Sequence, residues 1–184
     1  MTENRFAIND FLTKVQLRAL KHAEFATGNR DEALDIVQDS MLKLAQKYSN
    51  KPESWPKLFQ KILHNSIRDW YRKKKVRRIL LWWDQEQVSD QDISANHGQT
   101  MDNCVSYDNS VSPEVQASGM QIEDKVIQAL QQLPERQQQT FLLRAWWGNN
   151  VEETALIMGC SSGSVKTHYF RAVAKLKEIL GEGL

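Results

Sequence analysis

The chain has 184 residues, 41% of them hydrophobic and 26% charged, with a formal net charge of +1; this suits one soluble domain or two small ones. No apolar run approaches the roughly 20 residues that span a bilayer. The opening "MTENRFAIND" has no apolar signal core, and Cys104 and Cys160 lie far apart with no metal-binding spacing, so a cytoplasmic protein with reduced thiols is expected, without membrane insertion.

Helices are predicted in chain order. A first covers Phe11 to Phe25 and stops at Gly28-Asn29. Within "DEALDIVQDSMLKLAQKY", Leu34, Val37, Met41, Leu44 and Tyr48 recur at spacings of three and four, an amphipathic stripe. Asp31 and Glu32 stand at its start, where carboxylates favour the positive end of the helix dipole. "SNKPES" breaks the pattern, and Trp55, Phe59, Leu63, Ile67 and Trp70 or Tyr71 begin a second long stripe that runs into "RDWYRKKKVRR".

Charge is sorted into blocks. Residues 1–78 carry a net +8, and seven of the eleven residues from Arg68 to Arg78 are basic. Residues 79–124 hold nine acidic side chains and neither Lys nor Arg, while 125–184 return to +2. The acidic stretch is rich in Asp, Gln, Asn and Ser and too poor in apolar residues to offset the entropy of ordering it. It reads as a flexible acidic linker, in which only "LLWW" at 80–83 is expected to dock.

Helical periodicity returns at Ile122 and runs to Leu133; Pro134 then opens a helix expected to continue to Trp146-Trp147 and to stop at Gly148-Asn149-Asn150. Two more helices fit "VEETALIMGCSSGSVKTHYFRAVAKLKEIL". Ala155 is small where helices meet, Gly159 suits a left-handed turn, and Ser161 or Ser162 can cap the second of these helices. That is a helix-turn-helix layout, with Val165 turned to the core and Ser164, Lys166, Thr167, His168 and Arg171 left for a DNA groove. No strand pattern occurs. The expected fold is all-α, two small helical domains (1–80 and 121–184) joined by the linker (81–120).

On these residues a resemblance appears. "LPERQQQTFLLRAWWGNNVEETALIMGCSSGSVKTHYFRAVAKLKEIL" resembles the promoter-binding region of bacterial sigma factors of the extracytoplasmic-function group. "DEALDIVQDSMLKLAQKY" is similar to that family's polymerase-binding helix, and "WPKLFQKILHNSIRDWYRKK" to its promoter-melting helix, with Asn65, Asp69 and Arg72 at matching places. Two departures stand out: Thr154 at a position usually apolar, which implies looser packing, and His168 where many relatives carry Arg.

The resemblance implies a factor that binds core RNA polymerase, directs it to promoters and helps open the DNA. Asp31, Asp35, Gln38 and Asp39 would meet the beta-prime coiled coil, and the C-terminal module the beta flap. Ser49, Asn50 and Lys51 would hold a flipped base, with Asn65 and Arg68 reading the adjacent duplex. Arg72, Lys73, Lys74, Lys75, Arg77 and Arg78 would contact phosphates. Tyr71 either stacks on an unpaired base or completes the apolar stripe, and Trp70 faces the same two choices. Ser164, Lys166, Thr167, His168 and Arg171 would read the upstream element. The linker would thread the basic polymerase channels as a phosphate substitute, or serve as a solvated spacer. An anti-sigma factor is an expected partner.

A catalytic reading finds little. His22, His64, His97 and His168 share no ligand spacing, and no phosphate-binding or nucleophile motif occurs. No catalytic residue, metal or cofactor is expected. The alternatives are a stand-alone helix-turn-helix regulator and a scaffold that blocks a basic channel.

Overall fold

The computed structural model describes residues 2–50, 52–85 and 125–181, the side chains of 2–5, 78 and 80–85 excepted. The described residues are helical, without a strand. The expected linker from residue 86 on therefore lies outside them, as do Lys51 and the side chains of Arg78, Trp82 and Trp83.

The N-terminal module is three long helices. Helix α1 (Thr2–Thr27) starts earlier than the sequence pattern suggests and ends at Gly28, whose φ of 69° an L side chain rarely adopts. A Cβ at Gly28 would also lie 2.7 Å from the Gln131 side chain. Asn29 caps α2 (Arg30–Tyr48), its Oδ1 accepting from the Glu32 N–H at 3.0 Å. A single 3₁₀ turn (Pro52–Ser54) leads to α3 (Trp55–Gln85), and the Trp55 indole donates to the Tyr48 carbonyl at 2.8 Å, tying the loop shut. Helix α3 passes the expected domain end at residue 80 because Ile79 to Trp83 contains no Gly or Pro to stop it.

The α3 stripe packs as its spacing predicts, with Phe59, Leu63 and Ile67 fully buried against Ala19 and Ala23 of α1 and Leu44 of α2. The buried face of α2 is rotated from the expected one. Ala33, Ile36, Val37, Ser40 and Leu44 are inside, whereas Leu34 and Tyr48 are each 37% exposed. Small residues make the difference, since Ala33 and Ser40 let the neighbouring helices approach. The Ser40 hydroxyl donates to the Ile36 carbonyl at 2.7 Å, so its burial leaves no unsatisfied group.

Phe59 sits at the middle of this core, edge-on to Phe11 at 6.2 Å. Phe59→Ala is expected to cost about 3–5 kcal/mol of stability, read as a lowered urea midpoint with little change in slope.

The C-terminal module begins with a helix described over 125–131 (α4). Pro134 precedes α5 (Glu135–Phe141), which widens into a π turn (Leu142–Trp146) in place of the continuous α-helix expected. The wider turn sets Trp146 and Trp147 against the same neighbour, α1. Asn150 and Glu153 form a reciprocal capping box on α6 (Val151–Met158). Gly159 then turns left-handed at φ 63°, and Ser161 caps α7 (Ser162–Leu180) through the Ser164 N–H.

The core of this module is Ala129, Leu130, Leu133, Leu142, Ala172 and Leu176, joined by Phe25 from α1. Thr154 is fully enclosed, in place of the looser packing its polarity suggests, because its hydroxyl donates to the Asn150 carbonyl at 2.8 Å. The two modules pack against each other along α1, α3 and α5.

Candidate nucleic-acid interface

Two faces of opposite charge border one groove between α2 and α3. Asp31, Asp35, Gln38 and Asp39 are all exposed along α2. Opposite them, Arg72, Lys73 and Arg77 project from α3, and the groove between is lined by Asp35, Asp39, Lys43, Asp69, Trp70 and Arg72 among others. Lys74 and Lys75 are exposed as well. Apart from an Arg72–Asp69 pair at 3.7 Å, itself exposed and worth little, this basic run is held by no strong ion pair among the described residues. Its charge is available to an anionic partner.

Trp70 and Tyr71 point different ways. Trp70 borders the groove with the Lys74 ammonium 4.6 Å over its ring, a cation–π contact. Tyr71 turns to the seam between modules, where its hydroxyl lies 2.6 Å from the Ala26 carbonyl and 2.7 Å from Gln138 Oε1. Burial pushes its ionisation well above the ordinary range, helped by Glu135 and opposed by Gln138. Asn65 and Arg68 are half-buried on the same helix. Ser49 is half-buried and Asn50 exposed at the α2 end, 3.5 Å apart through their side-chain oxygens.

On α7, Lys166, Thr167 and Arg171 are exposed, while Val165 is fully buried. Ser164 is half-buried and its hydroxyl lies 2.9 Å from that of Ser161, so it belongs to the helix cap as much as to the outer face. His168 is half-buried, with Nδ1 enclosed and lacking a hydrogen-bond partner. Phe170 is 75% exposed, one turn from Lys166 and beside Arg171. Sequence reasoning misses it because an aromatic at helical spacing is usually core.

Among the described residues no group of three His, Cys, Asp or Glu could hold a metal, and no helix is long and apolar enough to cross a membrane.

The profile of Sigma-70, region 4 matches residues 123–176, which span α4 to most of α7. The ECF RNA polymerase sigma factor EcfG of Rhodopseudomonas palustris (strain TIE-1) is 31% identical over 156 residues, covering 84% of this chain and 74% of that protein. The chain belongs to the ECF RNA polymerase sigma factors. RNA polymerase sigma factor SigV of Bacillus subtilis (strain 168) is 28% identical over 154 residues, covering 81% of this chain and 76% of SigV.

Two solved structures share the fold. CnrH in complex with the cytosolic domain of CnrY superposes with a TM-score of 0.64 at 16% identity, covering 98% of this chain and 91% of that one. RpoE in complex with the anti-sigma factor NepR from Bartonella quintana gives 0.55 at 23%, covering 95% and 99%. As a sigma factor, the protein directs the initiation of transcription by RNA polymerase. Such factors are regulators whose chemistry is performed by the polymerase they direct.

The seam between the two helical modules is invisible to sequence reasoning. Its members come from segments that no local pattern links: Arg18, His22 and Phe25 of α1, Gln60, His64 and Tyr71 of α3, and Gln138, Gln139 and Asn149 beyond the linker. The one trace in the sequence is the polar line Lys57, Gln60, His64 and Tyr71 beside the apolar stripe of α3.

Proposed function

We propose that residues 1–80 bind core polymerase and melt the downstream promoter element, and that 121–184 bind the upstream element, with the acidic segment 81–120 running between them through the polymerase. The observation that carries this reading is the groove in which an exposed acidic face of α2 adjoins the exposed basic run of α3. Asp31, Asp35, Gln38 and Asp39 dock on the beta-prime coiled coil. Arg72, Lys73, Lys74, Lys75, Arg77 and Arg78 neutralise phosphates, positioning the chain without reading sequence. Ser49, Asn50 and Lys51 receive a base leaving the stack, and its capture offsets part of the unstacking cost, a few kcal/mol. Asn65 and Arg68 read adjacent base edges, and Tyr71 joins them once it leaves the seam.

On the recognition helix, Lys166 and Arg171 meet phosphates and guanine edges, with Thr167, Ser164 and His168 beside them. Phe170 suits the methyl group of a thymine. The C-terminal module also touches the beta flap. Catalysis is not part of the protein's own role, and it acts in the cytoplasm with the polymerase. Two fold relatives are solved with partner proteins, one of them an anti-sigma factor; a protein of that kind is an expected partner here.

Gel filtration with core RNA polymerase tests the reading. Co-elution supports it, while separate elution together with unaided footprinting of a duplex site would make the chain a stand-alone regulator. The basic run makes a second prediction. Lys73→Ala, Lys74→Ala and Lys75→Ala combined should flatten the log–log salt dependence of holoenzyme binding to promoter duplex by about 2–3 units, at roughly 0.9 for each phosphate no longer neutralised. A salt titration of binding reads this directly.

A further inference from the structure

Two histidines 42 residues apart in sequence meet at one amide. His22 of α1 and His64 of α3 both donate to Gln139 Oε1 of α5, at 3.3 and 3.4 Å. The three side chains are 1%, 2% and 1% exposed. The Trp147 indole N–H donates to His22 Nδ1, which fixes His22 as the neutral tautomer protonated on Nε2. His64 donates through Nδ1, and its Nε2 is enclosed with no partner.

Neither ring can accept a second proton in place. On His22 the proton would go to Nδ1 and face the Trp147 N–H, donor against donor. On His64 it would go to Nε2, where no acceptor waits. Each would create a buried charge beside the other ring.

We propose that the His22–Gln139–His64 cluster is an acid-sensitive latch: neutral, it holds the two helical modules together, and protonation of the histidines releases them. The seam is suited to release. Beside the apolar contacts of Phe25 and Trp146, it carries many polar pairs, such as Asn149 Nδ2 to Gln60 Oε1 at 2.7 Å and the Lys57–Glu153 bridge at 2.6 Å, and polar pairs between domains exchange readily for pairs with water.

The charged surroundings favour release on acidification. From α3, Arg68 faces His64, and from α5 so does Arg136; both disfavour a second positive charge. From α1, the Arg18 guanidinium lies 5.0 Å over the Trp147 ring. Burial above all, partly offset by Gln139, lowers His22 from 6.5 to about 3 and His64 to about 4. Because the closed-state values lie below the open-state ones, closure is fully favoured above pH 6.5 and weakens as pH falls toward 4. Glu135 of α5, raised chiefly by burial, opposes this as a single group against two. Glu153 of α6, lowered chiefly by its hydrogen bond from Lys57, acts in the same sense as the histidines, favouring closure less as pH falls.

Hydrogen exchange of the Trp147 indole N–H in the full chain reads the opening constant even when the open form is rare. Its protection, referenced to a free tryptophan amide, should fall on the order of 500-fold from pH 7 to pH 5, while the Leu63 amide in the module core stays protected. Protection constant within threefold would overturn the latch, as would the same fall in the His22→Gln, His64→Asn variant. Should that variant leave Trp147 unprotected throughout, His64→Asn alone decides: the fall shrinks to roughly 25-fold if the latch is right and stays unchanged if it is wrong. The consequence for transcription, that release frees Tyr71 for DNA, rests on the proposed promoter-melting role of α3. The exchange test uses no polymerase, so its failure leaves that role intact.

Discussion

Replacing Lys166 and Arg171 together by alanine lowers the affinity of the holoenzyme for an upstream promoter element about 30-fold or more. The two side chains are exposed on the same helix that Val165, Ala172 and Leu176 anchor to the module core. Their positions are therefore set by packing on the opposite face, and truncating them disturbs no core contact. Surface changes of this kind alter stability by less than about 0.5 kcal/mol, so far-UV circular dichroism and the urea midpoint should not move. The loss is one of recognition. A contact to a guanine edge contributes about 1–3 kcal/mol, and the two contacts together amount to at least about 2 kcal/mol. Electrophoretic mobility shifts with wild-type and variant holoenzyme measure it, and association with core polymerase should be unaffected. Equal affinities would remove α7 from the DNA-reading elements.

The second large effect falls at the other end of the molecule. Asp35→Ala with Asp39→Ala is expected to weaken core polymerase binding about 30-fold or more while leaving the fold unchanged. The carboxylates lie one helical turn apart on α2, and the helix is held by Ala33, Val37 and Leu44 on its buried side. Removing one partner of a desolvated, hydrogen-bonded charge pair costs about 2–5 kcal/mol. Titration of labelled core enzyme with the variant reads the change. The two double variants separate the modules: the first should spare polymerase binding and lose the upstream element, and the second should lose polymerase binding itself.

Much of this arrangement is legible in the sequence because it is local. The α3 stripe from Trp55 to Ile67, the Ser161 cap, the left-handed Gly159 and the buried Val165 each follow from spacing or from backbone chemistry within a few residues. The rotated face of α2 is hidden because the positions that matter there, Ala33 and Ser40, contribute small size and not hydrophobicity. The π turn at Leu142 to Trp146 is hidden because its residues favour an ordinary helix, and only contact of Trp146 and Trp147 with α1 gives the wider turn a partner. The His22–Gln139–His64 cluster joins residues 117 and 75 positions apart, and no periodicity carries information over such distances.

The exposed charges are predictable as a run, but their division between two jobs is not. Trp70 and Tyr71 are adjacent in sequence and share an apolar stripe, yet one borders the basic groove and the other is hydrogen-bonded into the seam. In this seam Tyr71 is unavailable to DNA, so any role for it in melting requires the modules to part.

Run-off transcription from a promoter library, with core RNA polymerase alone and with core polymerase plus this protein, is the most direct test of the central claim. The expected result is a set of promoter-dependent transcripts that appear only when both components are present. Polymerase that remains silent with the protein bound, or a protein that ignores polymerase and occupies duplex sites by itself, would contradict it.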